Sequence, residues 1–356
     1  MRKNFLLIAT ISLLAAGCKK ETKELTTAEA IQSTTDRSAQ SAIGTGCYGN
    51  NWTYGDAFTG NNSSPWPALV YNNKAYIFNT PSAGIISILD GSTCTFKNTN
   101  IPASYQPVDF AFVIGNKGYM GYTYGFDKQC YEYDFDANTW TYKANYPGLD
   151  REYEAYFSIG NKGYIVGGYQ PGSSAGGGNL FYYTDTWEFD PASNSWTQKA
   201  FLPPFTFGRV NAAGFTIGNK GYMVGGHRFI SPNYQTYFSS LLQYDPTTDT
   251  WTYKAYFPGT ARSDCQKFVI SGMGYVGGGY SSDMQNIYTY HKDFYKYNPS
   301  TDTWTQIPLI PGLGLMRQSF AINSRGYVAH DNISPPNSIM EKYTPLICGI
   351  GNPGPQ

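Results

Sequence analysis

The chain has 356 residues and a formal net charge of zero, with 25 Lys and Arg against 25 Asp and Glu. Only 14% of it is charged while 17% is aromatic, and 39 Gly and 21 Pro supply turn formers. A neutral chain lacks the basic face of a general nucleic-acid binder, an aromatic one is not intrinsically disordered, and this mixture favours strands over helices.

At the N-terminus, Arg2 and Lys3 precede an apolar run, Phe5 to Leu14. That run is too short to span a bilayer. It ends in Leu14-Ala15-Ala16-Gly17-Cys18, which resembles a bacterial lipobox. The resemblance implies a signal peptide over residues 1–17 and a lipid on Cys18. The expected location is the bacterial cell envelope, as an outer-membrane lipoprotein facing the periplasm or the outside. Residues 19–46 are polar and without aromatics, so 18–46 reads as the lipidated cysteine and a flexible tether. Such a chain spans about 30 Å.

A repeat follows. Asn-Lys-Gly-Tyr occurs at Asn116–Tyr119, Asn161–Tyr164 and Asn219–Tyr222, with weaker copies ending at Tyr76, Tyr275 and Tyr327. A turn-then-aromatic signature accompanies it. Asp134, Asp190, Asp245 and Asn298 each lie six residues before a Trp, at 140, 196, 251 and 304, and Asp90 lies six before Phe96. Asn or Asp two residues before these tryptophans suits a left-handed turn position. In between, residues alternate as in strands: Ala155–Ile159, Tyr164–Val166, Thr186–Phe189 and Ser195–Gln198. This predicts four strands, a to d, per unit, with paired glycines at Gly167-Gly168, Gly225-Gly226 and Gly277-Gly278 on strand b where backbones crowd.

Units of this length, with paired glycines and a later Tyr and Trp, resemble the kelch repeat over about residues 47–345, most strongly in units three to five. The resemblance implies an all-β fold: a six-bladed β-propeller of four antiparallel strands per blade. The last unit, Met316 to Tyr343, supplies strands a to c only. Its missing strand d matches Gly49–Tyr54 at the other end, with Trp52 in the place of Trp251. The N-terminal strand should therefore close the last blade, removing the open sheet edges, with the propeller over 47–348 and a tail over 349–356.

Closure brings Cys47 and Cys348 together, and an exported chain is oxidised, so a Cys47–Cys348 disulfide is expected. Cys94, Cys130 and Cys265 fall on different blades; a Cys94–Cys130 bond and three free thiols both remain open.

Catalytic motifs are sparse. His227, His291 and His330 lie in separate blades with no supporting cluster, so no metal site is expected. Gly172–Gly176 fits a serine-nucleophile pattern only formally, within a Gly/Ser loop. No cofactor is expected. Galactose-oxidase-type copper enzymes also use kelch propellers, but the tyrosine–cysteine cofactor and paired histidines they need find no match.

Candidate site residues come from the loop face and its register. The b–c loops of units three to five are long and hold Phe181, Tyr182, Tyr183, Tyr234, Tyr237, Phe238, Tyr288 and Tyr290. Such Tyr-rich loops suit binding. Arg151, Arg209 and Arg262 stand thirteen residues before the repeat tyrosine. Three positions later in that frame come Trp66, Asp109, Glu154, Ala212, Cys265 and Arg317; five after the tyrosine come Pro81, Tyr124, Tyr169, His227, Tyr280 and Asn332. In a kelch propeller these positions ring one mouth of the central channel. Arginines, carboxylates and aromatics around a pocket suit a polar ligand. Alternatively the arginines bond neighbouring carbonyls.

Two readings follow. One is a lipid-anchored, non-catalytic module binding a glycan, peptide or partner protein, with the membrane as second partner and no nucleic acid. The other resembles periplasmic sialic-acid mutarotases, also kelch propellers. There Glu154 would carry the proton, with Asp109 and the arginines around a sugar acid.

Overall fold

A computed structural model describes residues 47–48, 50–54, 67–78, 85–90, 94–99, 108–125, 127–170, 181–231, 234–311, 316–331, 338–345 and 347–348. The expected signal peptide, Cys18, the tether, Trp66, Asn332, the tail and the side chains of Cys47, Cys348 and Arg317 lie outside these residues.

The described residues form six four-stranded antiparallel sheets. Blade 3 is representative, with strands Ala155–Ile159, Lys162–Val166, Thr186–Asp190 and Ser195–Lys199. Each strand buries what its place demands. Ala155–Ile159 alternates buried and half-buried residues, because one face lines the channel. Gly163–Val166 are buried, since neighbouring blades cover both faces. Ser195–Lys199 forms the outer edge and is largely exposed. The innermost strand of every blade touches the innermost strands of the blades before and after it, so the six sheets make a closed ring.

There is no single core. Six apolar clusters each span two adjacent blades. The glycine of the Asn-Lys-Gly-Tyr signature exists for this packing. A Cβ on Gly163 would lie 2.0 Å from the Phe112 ring of the preceding blade. Phe157, Phe215 and Phe268 fill the same place against Gly221, Gly274 and Gly326.

The paired glycines follow strand b rather than lying on it. Gly167-Gly168 and Gly225-Gly226 have φ of 75° and 87°, and 71° and 89°, conformations that L residues avoid. In blade 5 the equivalent pair is Gly278-Gly279, one residue later than the sequence suggested, because Gly277 still pairs with Phe294 inside the sheet.

Closure follows the expected register. Asn51–Tyr54 pairs with Ser338–Thr344, placing Trp52 opposite Tyr343. The Trp52 indole Nε1 donates to the Pro308 carbonyl at 2.9 Å, tying the closing strand to blade 5. Outside the sheet, Cys47 and Cys348 are direct partners in a short ladder. Cys130 and Cys265 are buried free thiols, so the Cys94–Cys130 bond is not formed.

The long loops of blades 4 and 5 are themselves hairpins: His227–Ser231 with Tyr234–Tyr237, and Tyr280–Ser282 with Tyr288–Tyr290. The Tyr237 hydroxyl and Ser282 Oγ, 3.0 Å apart, join them.

Candidate functional site

A cavity of about 830 Å³ occupies the channel, and every blade contributes to it through its innermost strand: Ala68, Ala111, Tyr156, Ala213, Lys267 and Ser319. The chain enters these strands through a mouth ring. At the ring, Tyr153, Asn211 and Asp264 have φ of 61°, 53° and 53°. This lets each hand a carbonyl to the next blade: the Asn211 amide donates to Tyr153 O at 2.9 Å and the Asp264 amide to Asn211 O at 3.1 Å.

Asp109 of blade 2 and Glu154 of blade 3 meet at this mouth, on either side of buried Thr123. Glu154 Oε1 lies 2.7 Å from Thr123 Oγ1. Asp109 Oδ2 accepts the Thr123 amide at 2.8 Å and lies 3.3 Å from the same hydroxyl. Glu154 Oε2 is buried with no hydrogen-bond partner. Burial, then the Asp109 charge, push the Glu154 carboxyl up to about 8. Burial also pushes Asp109 up to about 6, against the Thr123 amide, which pulls it down. Two carboxyls this close titrate as a pair. One proton shared between them, held mainly by Glu154, is the form expected near neutral pH. The hydroxyl geometry agrees. Thr123 has one proton and a second acceptor, Arg151 O at 3.0 Å, so a protonated Glu154 donating to Thr123 satisfies the chain.

Lys267 is the cation opposite. Its Nζ sits 5.6 Å from the Tyr156 ring centroid, and between their strands Gly214 packs so closely on the Tyr156 backbone that a Cβ there would lie 2.5 Å from the Tyr156 carbonyl oxygen. Burial lowers its pKa, and it has no ion-pair partner among the described residues. The other lysine lining the cavity, Lys128, is paired with Asp150 at 2.7 Å.

The arginines do not join them. Arg151 bonds Gly167 O at 3.0 Å and grips Asp185 with two bonds of 2.8 Å. Arg262 repeats this with Gly278 O and Asp293, and Arg209 bonds Gly225 O and Ser240 Oγ. All three guanidinium groups lie buried inside their own blades and none lines the cavity. An arginine clamp at the mouth is thus not what these residues form. They hold the glycine turns after strand b.

Of the other candidates, Tyr124 and Cys265 line the cavity. Tyr169 lies behind Tyr153, with stacked rings 6.0 Å apart. His227 is buried against Ser263 Oγ at 2.8 Å, and burial lowers its pKa to about 4, which leaves it neutral. Tyr280 packs edge-on against Tyr288 and Tyr290 in its hairpin. Trp66 and the Arg317 side chain lie outside the described residues, though Gln318 and Ser319 line the cavity. Thr123, Tyr153, Tyr156 and Lys267 were not among the site residues expected from the sequence. Lys267 had one available signal, being the only charge among its repeat equivalents Ala68, Ala111, Tyr156, Gly214 and Ser319.

Residues 208–258 and 269–308, within this ring of six four-stranded blades, match the Kelch motif. The chain is a kelch-repeat β-propeller. Among curated proteins this propeller is 24% identical over 232 residues to the N-acetylneuraminate epimerase of Haemophilus influenzae (strain PittEE), across 56% of the chain and 59% of that protein. It therefore spans less than two thirds of that relative's length. The Shigella sonnei epimerase is 32% identical over 79 residues, 22% of each chain. The Kelch-like protein 36 of Rattus norvegicus is 32% identical over 125 residues, covering 34% of the chain and 19% of that protein. Among solved structures, that of YjhT superposes with a TM-score of 0.61 at 14% identity, covering 79% of this chain and 94% of YjhT, a likeness of fold.

Proposed function

We propose that this propeller opens and recloses the ring of a sugar acid, interconverting its anomers. The observation carrying this reading is the Glu154–Asp109 pair, two cavity-lining carboxyls that share Thr123, one of which, Glu154, keeps a proton and has a buried, unpartnered second oxygen. Ring opening of a cyclic hemiketal needs an acid and a base together. Protonated Glu154 gives its proton to the ring oxygen as the bond from that oxygen to the anomeric carbon breaks. Ionised Asp109 takes the proton of the anomeric hydroxyl, leaving an open-chain carbonyl. Rotation about the adjacent carbon–carbon bond and the reverse transfers close the other anomer. No oxidant or cofactor enters. Lys267 would face the substrate carboxylate, the role the sequence reading gave to the arginines. The naming of several relatives as N-acetylneuraminate epimerases supports the substrate class.

NMR exchange between the anomers of N-acetylneuraminate tests it. Purified protein should accelerate exchange, and Glu154→Gln should lose about 100-fold or more; no acceleration by wild type sinks the reading. A second reading, a non-catalytic binder of a glycan, peptide or protein, draws on the half-exposed Tyr288 and Tyr290 of the loop hairpin. Binding of a glycan without acceleration would select it.

We further propose that the propeller hangs from a cell-envelope membrane by lipid on Cys18. Mass spectrometry of the mature N-terminus should find acylated Cys18, and Cys18→Ala should release the protein from the membrane fraction.

A further inference from the structure

Tyr153 occupies a position that does not suit it. Its repeat equivalents at the mouth are Asn211 and Asp264, and all three backbones are left-handed, at 61°, 53° and 53°. Asn and Asp adopt that conformation readily; a tyrosine pays for it in strain. The conformation itself is imposed by the ring, since the Tyr153 carbonyl must reach the Asn211 amide. The side chain is not so imposed. Asn211 uses its Nδ2 to bond Asp264 Oδ2 at 3.2 Å, closing the ring on that side. Tyr153 makes no such bond among the described residues. Instead its ring, 51% exposed, stands in the cavity next to Glu154. Behind it Tyr169 lies almost parallel, at 11° between planes, and Tyr169 in turn packs on Tyr182. A flat apolar surface is thus held rigid at the mouth by a backing of further rings.

We propose that Tyr153 is a ligand platform: the apolar face of a sugar ring packs on it, setting the ring against the Asp109–Glu154 pair. The strained tyrosine is retained for that contact. This rests on the carbohydrate reading above, and it adds a substrate-positioning residue that touches the ligand but transfers no proton. Two rigid rings offer contact area with little ordering cost.

The test uses Tyr153→Asn, which installs the residue of the next blade. Without ligand, Y153N should melt about 1–3 °C higher than wild type, because a left-handed Asn relieves strain. With N-acetylneuraminate, its dissociation constant by calorimetry and its KM for anomer exchange should rise roughly 3–10-fold, with a smaller change in kcat. Tyr153→Phe, which keeps the ring, should recover most of that affinity. A purely structural tyrosine would give the opposite pattern: Y153N would melt lower and bind as wild type does. Either half of that pattern overturns the proposal. If wild type neither binds nor equilibrates the sugar, the carbohydrate reading fails and the platform with it. In that case the melting comparison still decides whether Tyr153 is strained.

Discussion

Burial makes the ionised form of Glu154 costly, and Asp109 adds to the cost. An acid raised in this way keeps its proton in the folded state after an unfolded chain has lost it. Folding is therefore favoured at low pH, and stability falls as pH rises from about 4, the ordinary carboxylate range, through the folded value of about 8. Glu154→Gln mimics the protonated acid and removes the penalty. In urea melts the variant should gain on the order of 1–3 kcal/mol over wild type at pH 8 and little at pH 5. The same substitution should abolish anomer exchange, so stability and activity move in opposite directions. Asp109→Asn removes both the base and a charge that raises Glu154, so anomer exchange should fall by about 100-fold or more while the Glu154 carboxyl, followed by NMR, titrates at lower pH. Arg209 offers a contrast of structural kind. Its equivalents grip Asp185 and Asp293, whereas Arg209 meets Ser240, and burial lowers its pKa to about 10. Ser240→Asp should restore the pair and raise stability by roughly 1 kcal/mol. Arg151→Met, which strands buried Asp185, should cost about 3–5 kcal/mol.

At the scale of elements, the turn before each outer strand does more than reverse the chain. Asn138, Asn194, Asp249 and Asp302 have φ between 50° and 58°. Asn194, Asp249 and Asp302 each accept an amide from the preceding or following unit: Ala144, Ala200 and Ala255, all at 2.9 Å. Tyr244 and Tyr297 hydroxyls donate to the same aspartates at 2.7 Å. The left-handed turn was legible from residue type and spacing. The latch was not, because its partner is some fifty residues away in sequence and is a backbone group. Asp249→Ala should cost about 2–3 kcal/mol by thermal denaturation, and Asp249→Gly should recover only the backbone share. The paired glycines teach a similar lesson. Their existence was readable, but in blade 5 three glycines run together, and only the sheet register distinguishes Gly277 from the pair that turns.

For the whole molecule, the ring was legible because its seam leaves a trace: one strand missing at the C-terminus and one spare at the N-terminus. The site was harder to read because it is assembled from all six blades at one mouth. Equal spacing of Arg151, Arg209 and Arg262 correctly marks equivalent positions, yet spacing says nothing about which way a side chain turns. Here each turns into its own blade, to a carbonyl sixteen residues on. Glu154 and Asp109 were found by the same register because their neighbours leave them facing the channel. The pairing of Cys47 with Cys348 yields a prediction at this scale. Non-reducing peptide mapping of protein produced in an oxidising compartment should recover them joined. A loop of about 300 residues is worth roughly 5–6 kcal/mol in the chain-entropy picture. A reductant should therefore lower the melting temperature of wild type and leave Cys348→Ser unmoved.

The distribution of apolar clusters, one wedge at each blade boundary, governs how the molecule fails. A blade detached from its neighbours keeps its hydrogen bonds but loses the oily surfaces on both sides at once, so no blade is a free-standing folding unit. Heat should release all six together, as one sharp calorimetric peak. Cutting away residues 47–54 should leave the strand of Tyr343 hunting for a substitute edge, most readily on another copy of the same chain.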